Sequence, residues 1–184
     1  ESGRGTADDP WVIMTAEQMV FMPDDMTSGE ARYFQLGASI DLKDIAWTPL
    51  NNVSPYDKIM HFDGKGYTIS NLTVGETPYA SFAGVLYGSI KDVIFEGATI
   101  AAGANVGGVV AGYVGKTENI APCSITGVTV KNSSVSGSVN NVGGFIGVTA
   151  RLYVTGMRPD PPAASEYAVD PVGVATIIPS AQKS

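Results

Sequence analysis

Apolar residues return along the chain at a fixed internal spacing. Ile69, Leu72 and Val74 in "TISNLTV" stand at the same intervals as Ile90, Val93 and Phe95 in "SIKDVIF" and as Ile125, Val128 and Val130 in "SITGVTV". A further apolar point follows five residues later in the last two units, at Ile100 and Val135. Mostly polar residues fill the places between, with Ile94 as an exception. Short alternating runs predict half-buried strands, and their return in register predicts a repeat architecture. A glycine phrase accompanies them: "NVGGVVAGYVG" from Asn105 to Gly115 reappears as "NVGGFIGV" from Asn141 to Val148, with a weaker echo in "SFAGVLYGSI" from Ser81 to Ile90.

The units differ in length at one place. Gly84 to Ile90 is six residues and Gly108 to Ile125 is seventeen, so roughly "YVGKTENIAPC" enters as a loop on one face of a stacked repeat. The fold class expected is all-β, a parallel β-helix or solenoid in which each turn of chain lays strands about 4.8 Å above those of the turn before. Ile69, Ile90 and Ile125 should then stand one above another, with the "VGG" glycines at sharp corners. An antiparallel sandwich also has short strands and glycine turns, but it leaves the recurring triplet unexplained.

The entry to the chain reads as strand, helix, strand. "DPWVIM", from Asp9 to Met14, is a short strand, and "ARYFQLGASIDL" alternates Phe34, Leu36, Ile40 and Leu42 as strands broken at Gly37. Between them a short N-terminal capping helix is expected from Thr15 to Met26. Thr15 and Gln18 have capping-box spacing, Met19 and Met22 share a face, and Pro23 ends or kinks the helix. The organisation expected is a single β-helix domain over residues 1–184. Residues 1–61 form the N-terminal cap and first strands, 62–150 the repeat turns, and 151–184 a C-terminal cap or connector, in which "VGVATII" adds a last strand.

Composition narrows the partners. The chain is 44% hydrophobic and only 16% charged with 22 glycines, which favours stacked strands over helices with charged outer faces. A formal charge of −7 argues against nucleic acid, whose backbone calls for clustered Lys and Arg. No apolar run is long enough to span a bilayer, so no membrane span is expected in this chain. The start "ESGRGTADDP" lacks the regions of a signal peptide, and the expected state is a monomer or a part of a longer chain. One cysteine, Cys123, excludes an internal disulfide and a cysteine-built zinc site, and reads as a packing thiol.

Candidate chemistry is sparse. "FDGKG" from Phe62 to Gly66 lacks the further acids of a calcium loop and reads as a turn, and "GKT" at Gly115 to Thr117 lacks the first glycine of a phosphate-binding loop. The acid pairs Asp24 with Asp25, Asp41 with Asp44 and Asp57 with Asp63 read as solvated surface charge, and His61 has no carboxylate or nucleophile at motif spacing. Asn71 and Asn132 read as residues that satisfy turn backbone. No catalytic, metal or cofactor-binding residue is therefore assigned, and no cofactor is expected. Trp47, Tyr56 and Tyr79 lie in loop-like text and are the candidate ligand contacts, with packing beneath the loops as the competing reading, above all for Trp47.

The phrases "AGVLYGSIKDV" and "VGGVVAG" through "SITGVTV" resemble the GLUG-type repeats of bacterial surface and adhesin-like proteins. "FDGKGYTISNLTV" resembles the turn and strand that precede such repeats, and "GTADDPWVIMTAEQM" with "YFQLGASIDL" and "WTPLNN" resembles the N-terminal cap of the same proteins, many of them lipoproteins of gut anaerobes. The resemblance covers about residues 5 to 148 and departs after the third glycine phrase, where "RPDPPAASEYAVDP" brings no clean triplet. It implies a right-handed β-helix, exported to the bacterial cell surface or beyond, and carries over no catalytic residue. The expected function is a non-enzymatic module for adhesion, binding glycan or a host or matrix protein. The alternatives are a polysaccharide-active β-helix enzyme and a structural spacer in a longer surface protein.

Overall fold

In the computed structural model, the structure describes residues 2–53, 56–115, 123–138, 141–149, 167–169 and 175–177. The chain enters through β1 (Trp11–Ile13), α1 (Ala16–Val20), α2 (Met22–Asp25), β2 (Ala31–Leu36) and β3 (Ile40–Asp41). A full passage follows: β4 (Ile59–Asp63), β5 (Thr68–Ser70), β6 (Thr73–Val74), β7 (Tyr79–Ala80) and β8 (Ala83–Leu86). The next passage repeats it as β9 (Gly88–Lys91), β10 (Ile94–Glu96), β11 (Thr99–Gly103), β12 (Val106–Gly107) and β13 (Ala111–Val114). The last adds β14 (Ser124–Thr126), β15 (Thr129–Lys131), β16 (Ser134–Gly137) and β17 (Ile146–Thr149).

These strands form parallel sheets, so the molecule is all-β in class, as expected. The sheet orders are β1-β2-β4-β9-β14, β3-β5-β10-β15, β6-β11-β16, β7-β12 and β8-β13-β17. Each passage therefore gives successive strands to successive sheets in the same order. "VGVATII" does contain a strand, β19 (Ala175–Ile177), but its partner is β18 (Tyr167–Val169) in an antiparallel pair.

Register shows which side chains share a level. Phe34, Phe62, Ile90 and Ile125 form one file, Ile40, Ile69, Phe95 and Val130 a second, and Val74, Ile100 and Val135 a third. Ile90 and Ile125 are thus level as expected, but Ile69 is not with them. The same apolar spacing spans two successive bends: Ile90, Val93 and Phe95 bracket the first, and Phe95, Ala98 and Ile100 the second. Ile69, Leu72 and Val74 belong to the second bend. In that earlier passage "DGKG" widens the first bend, so Phe62 precedes Ile69 by seven residues where Ile90 precedes Phe95 by five.

Both bends need left-handed backbone. The first has Asp92 at φ 51° and the second has Asn71 at 58° and Asn132 at 48°, residue types whose short polar side chains tolerate that region. The "VGG" glycines have a different cause from the one expected. Gly107, Gly108 and Gly143 have no positive φ; a Cβ on Gly108 would stand 2.8 Å from the Ala111 carbonyl oxygen and from the Gly147 amide. Those glycines let neighbouring backbones approach, which any side chain would prevent.

The core is one cluster of buried apolar residues running from Ile13 to Val130. Phe82 is its hub, with ring centroids 5.3 Å from Phe62, 5.2 Å from Phe95 and 5.4 Å from Trp47. The expected single helix is two. Thr15 caps α1, its Oγ1 accepting from the Gln18 amide at 3.3 Å, while Gln18 Oε1 accepts from the Met14 amide at 2.7 Å. The chain re-aims at Phe21, and Pro23 sits in the first turn of α2, where its missing N–H has no cost. Met19 and Met22 in the helices, and Met26 just after them, are buried in the same cluster as Ile13 and Leu36. Among the described residues, no helix is long and apolar enough to cross a membrane.

Candidate functional site

A strand sends alternate side chains to opposite faces. On β2, β4 and β9, Phe34, Phe62 and Ile90 go to the core, so the residues on either side of them go outward. Tyr33, His61 and Ser89 are level with one another, as are Gln35, Asp63 and Lys91. These two files line a groove of about 480 Å³, together with Ala7, Pro10 and Lys65.

In the first file the Tyr33 and His61 rings stack at 4.5 Å, inclined by 16°. His61 Nδ1 lies 2.9 Å from Ser89 Oγ, and burial lowers its pKa, which favours the neutral imidazole. In the second file Asp63 Oδ2 is 3.0 Å from Lys91 Nζ and 3.3 Å from Lys65 Nζ, while Oδ1 accepts the Lys65 amide at 2.9 Å. Burial pulls the Asp63 pKa upward, but the Lys65 amide and the Lys91 and Lys65 ammonium groups outweigh it and hold the carboxyl below its usual range. The hydrogen bond to Asp63 raises that of Lys91 in return.

Such a groove offers a ring surface beside fixed donors and acceptors. His61 and Ser89 are a base and a hydroxyl within hydrogen-bond reach, and among the described residues no carboxylate hydrogen-bonds the imidazole to orient it. Nor, among the described residues, do three or more His, Cys, Asp or Glu come together as a metal site.

The residues expected to meet a ligand separate. Tyr56 meets Tyr79 edge-to-face at 5.5 Å, and Tyr79 lies 6.2 Å from Tyr113, so half-buried tyrosines from three segments form a row. Trp47 is corrected to the core. It is 5% exposed, stacks on Phe82 at 15° and donates its indole N–H to the Phe82 carbonyl at 2.9 Å.

This chain is similar to part of a larger bacterial protein. A solved structure of a "putative immunoglobulin A1 protease" from Bacteroides ovatus matches with 31% identity and a TM-score of 0.73, over 83% of this chain and 46% of that one. The chain thus spans less than half the length of that protein. No protein-family model and no curated protein matches the sequence.

Three acids of the expected pairs have partners of their own. Asp41 accepts from the Asn71 amide group at 2.8 Å and from the Lys43 backbone, Asp57 accepts from the Ser28 hydroxyl, and Asp63 belongs to the lysines. Cys123 is half-buried, with Sγ 3.0 Å from the Gly115 carbonyl, and burial raises its pKa. The "GKT" lysine and threonine lie outside the described residues.

Sequence reasoning missed the groove because its partners sit on neighbouring strands, 28 residues apart for His61 and Ser89. One signal was present. In "IMHFD", buried Met60 and Phe62 alternate with His61 and Asp63, which places the latter two on one outer face.

Proposed function

We propose that this chain is a right-handed parallel β-helix module, GLUG-repeat-like and displayed on or beyond the bacterial surface, which binds glycan or a host or matrix protein without catalysing a reaction. The parallel sheets entered in constant order support the β-helix, and the strong preference of parallel crossovers for one hand supports the handedness. The likeness to half of a larger Bacteroides protein supports a module within a longer chain.

The row of Tyr56, Tyr79 and Tyr113 carries the binding assignment. Tyrosine offers a flat apolar ring and a hydroxyl at little cost in side-chain entropy, which suits both sugar faces and protein surfaces. The Bacteroides structure's name raises proteolysis; among the described residues the Ser89 hydroxyl meets His61 without an orienting carboxylate, and no metal cluster forms. Glycan and matrix-protein arrays test the proposal. The parent chain should bind at least one class, and the Tyr56→Ala/Tyr79→Ala double variant should lose about tenfold or more of that binding. Absence of binding by the parent chain would leave the spacer reading, and undiminished binding by the variant would move the site elsewhere.

A further inference from the structure

We infer that the outward face of α1 and α2 is a docking surface for a basic peptide segment with an apolar anchor residue, which seats on Phe21 between the carboxylates of Glu17, Asp24 and Asp25. This rests on the helical segment alone and stands whether or not the tyrosine row binds anything.

The first support is the apolar character of the outer face. A helix at the surface of a folded chain buries one stripe and turns polar residues outward. Here Met19 and Met22 fill the inward stripe, yet Val20 and Phe21 remain 44% and 61% exposed, with Met14 just ahead of α1 at 49%. These are three of the five large apolar side chains left exposed among the described residues, gathered between Met14 and Phe21. Exposed apolar surface rimmed by polar groups marks an interaction site. The second support is shape. Glu17, Gln18, Phe21, Asp24 and Asp25 line a groove of about 400 Å³, which has room for a short length of peptide.

Charge selects the guest. None of the three carboxylates is in an ion pair among the described residues. Arg4 pairs with Asp9, Arg32 with Glu30, and Lys65 and Lys91 with Asp63, while Lys58 reaches α2 at the Pro23 carbonyl, at 3.4 Å. Hydrogen bonds from its own amide and the Thr15 hydroxyl hold the Glu17 carboxyl below its usual range, so it stays ionised at neutral pH. Uncompensated carboxylates around one ring suit lysine or arginine, whose stems pack on the ring while the charged heads reach the rim. They repel an acidic segment, and they disfavour an anionic lipid surface, which calls for Lys and Arg beside the exposed ring.

Amide-detected NMR titration of the whole chain tests this. The probes are a short peptide with a Leu-Phe pair between lysines, a control with glutamates for the lysines, and a control with glycines for the Leu-Phe pair. The first should shift the Glu17, Gln18, Phe21, Asp24 and Asp25 signals with a Kd on the order of 100 μM, weakened about tenfold when salt is raised from about 0.05 M to about 0.5 M. Phe21→Ser and Asp24→Asn/Asp25→Asn should each weaken binding about fivefold or more while the remaining spectrum stays folded, and Tyr56→Ala/Tyr79→Ala should leave it unchanged. The inference is overturned if those signals stay still up to roughly 2 mM of the first peptide, or if either control binds as tightly. It is equally overturned if both helix variants bind as the parent does. Movement of the same signals on concentrating the chain alone would overturn it by making a second copy the occupant. Nuclear Overhauser contacts in the free chain from the Phe21 ring to chain beyond β17 would overturn it by making that segment the occupant.

Discussion

Two side chains show how single residues divide between core and groove. Trp47 combines a large ring with one donor, and burial is tolerated because that donor reaches the Phe82 carbonyl. Trp47→Phe keeps a ring against Phe82 but removes the donor. The carbonyl retains its bond from the Leu50 amide at 3.1 Å, so the expected loss lies near the lower end of such costs, about 1 kcal/mol, read from urea unfolding. His61 carries a pH dependence. Its pKa in the folded chain is below the ordinary histidine value, so the unfolded chain takes up a proton first as pH falls. Stability should be unaffected by this group above about pH 7 and decline through about pH 6 to 5. His61→Gln should flatten that part of a plot of melting temperature against pH; an unaltered slope would assign the dependence to other groups.

At the scale of strands and bends, position was legible and level was not. Period-2 alternation marks β4, β5, β9 and β14 in the sequence, because each buries one face. The pairing of Ile69 with Phe95 was hidden, because consecutive bends use the same apolar spacing and nothing in linear text says which bend a triplet spans. Likewise Tyr79 and Tyr113 come from separate passages, and only the stacking of strands makes them a row. The bend itself gives a sharper test. Gly88 has φ 113°, and a Cβ there would run into the Met60 carbonyl oxygen at the junction of β4 and β9. Gly88→Ala should cost about 3 kcal/mol or more, combining backbone strain with steric overlap. Denaturant titration or failure to accumulate as folded protein would register it, and a loss under about 1 kcal/mol would show that the junction can shift.

For the whole molecule, the helical segment matters through what it covers. Met19, Met22 and Met26 lie in the cluster that includes Ile13 and Leu36, so replacing residues 15–26 by a glycine-serine linker uncovers apolar side chains of that cluster. Concentration-dependent association in light scattering is the expected result, and a monodisperse variant would show that the files are closed in another way.

The sheet order also gives the parallel strands a direction. Among the described strands, β14, β15, β16 and β17 each have a parallel neighbour on one side only, the strand of the preceding passage. Duplication of a passage would present each new strand with the partner order that β9, β10, β11 and β13 already follow.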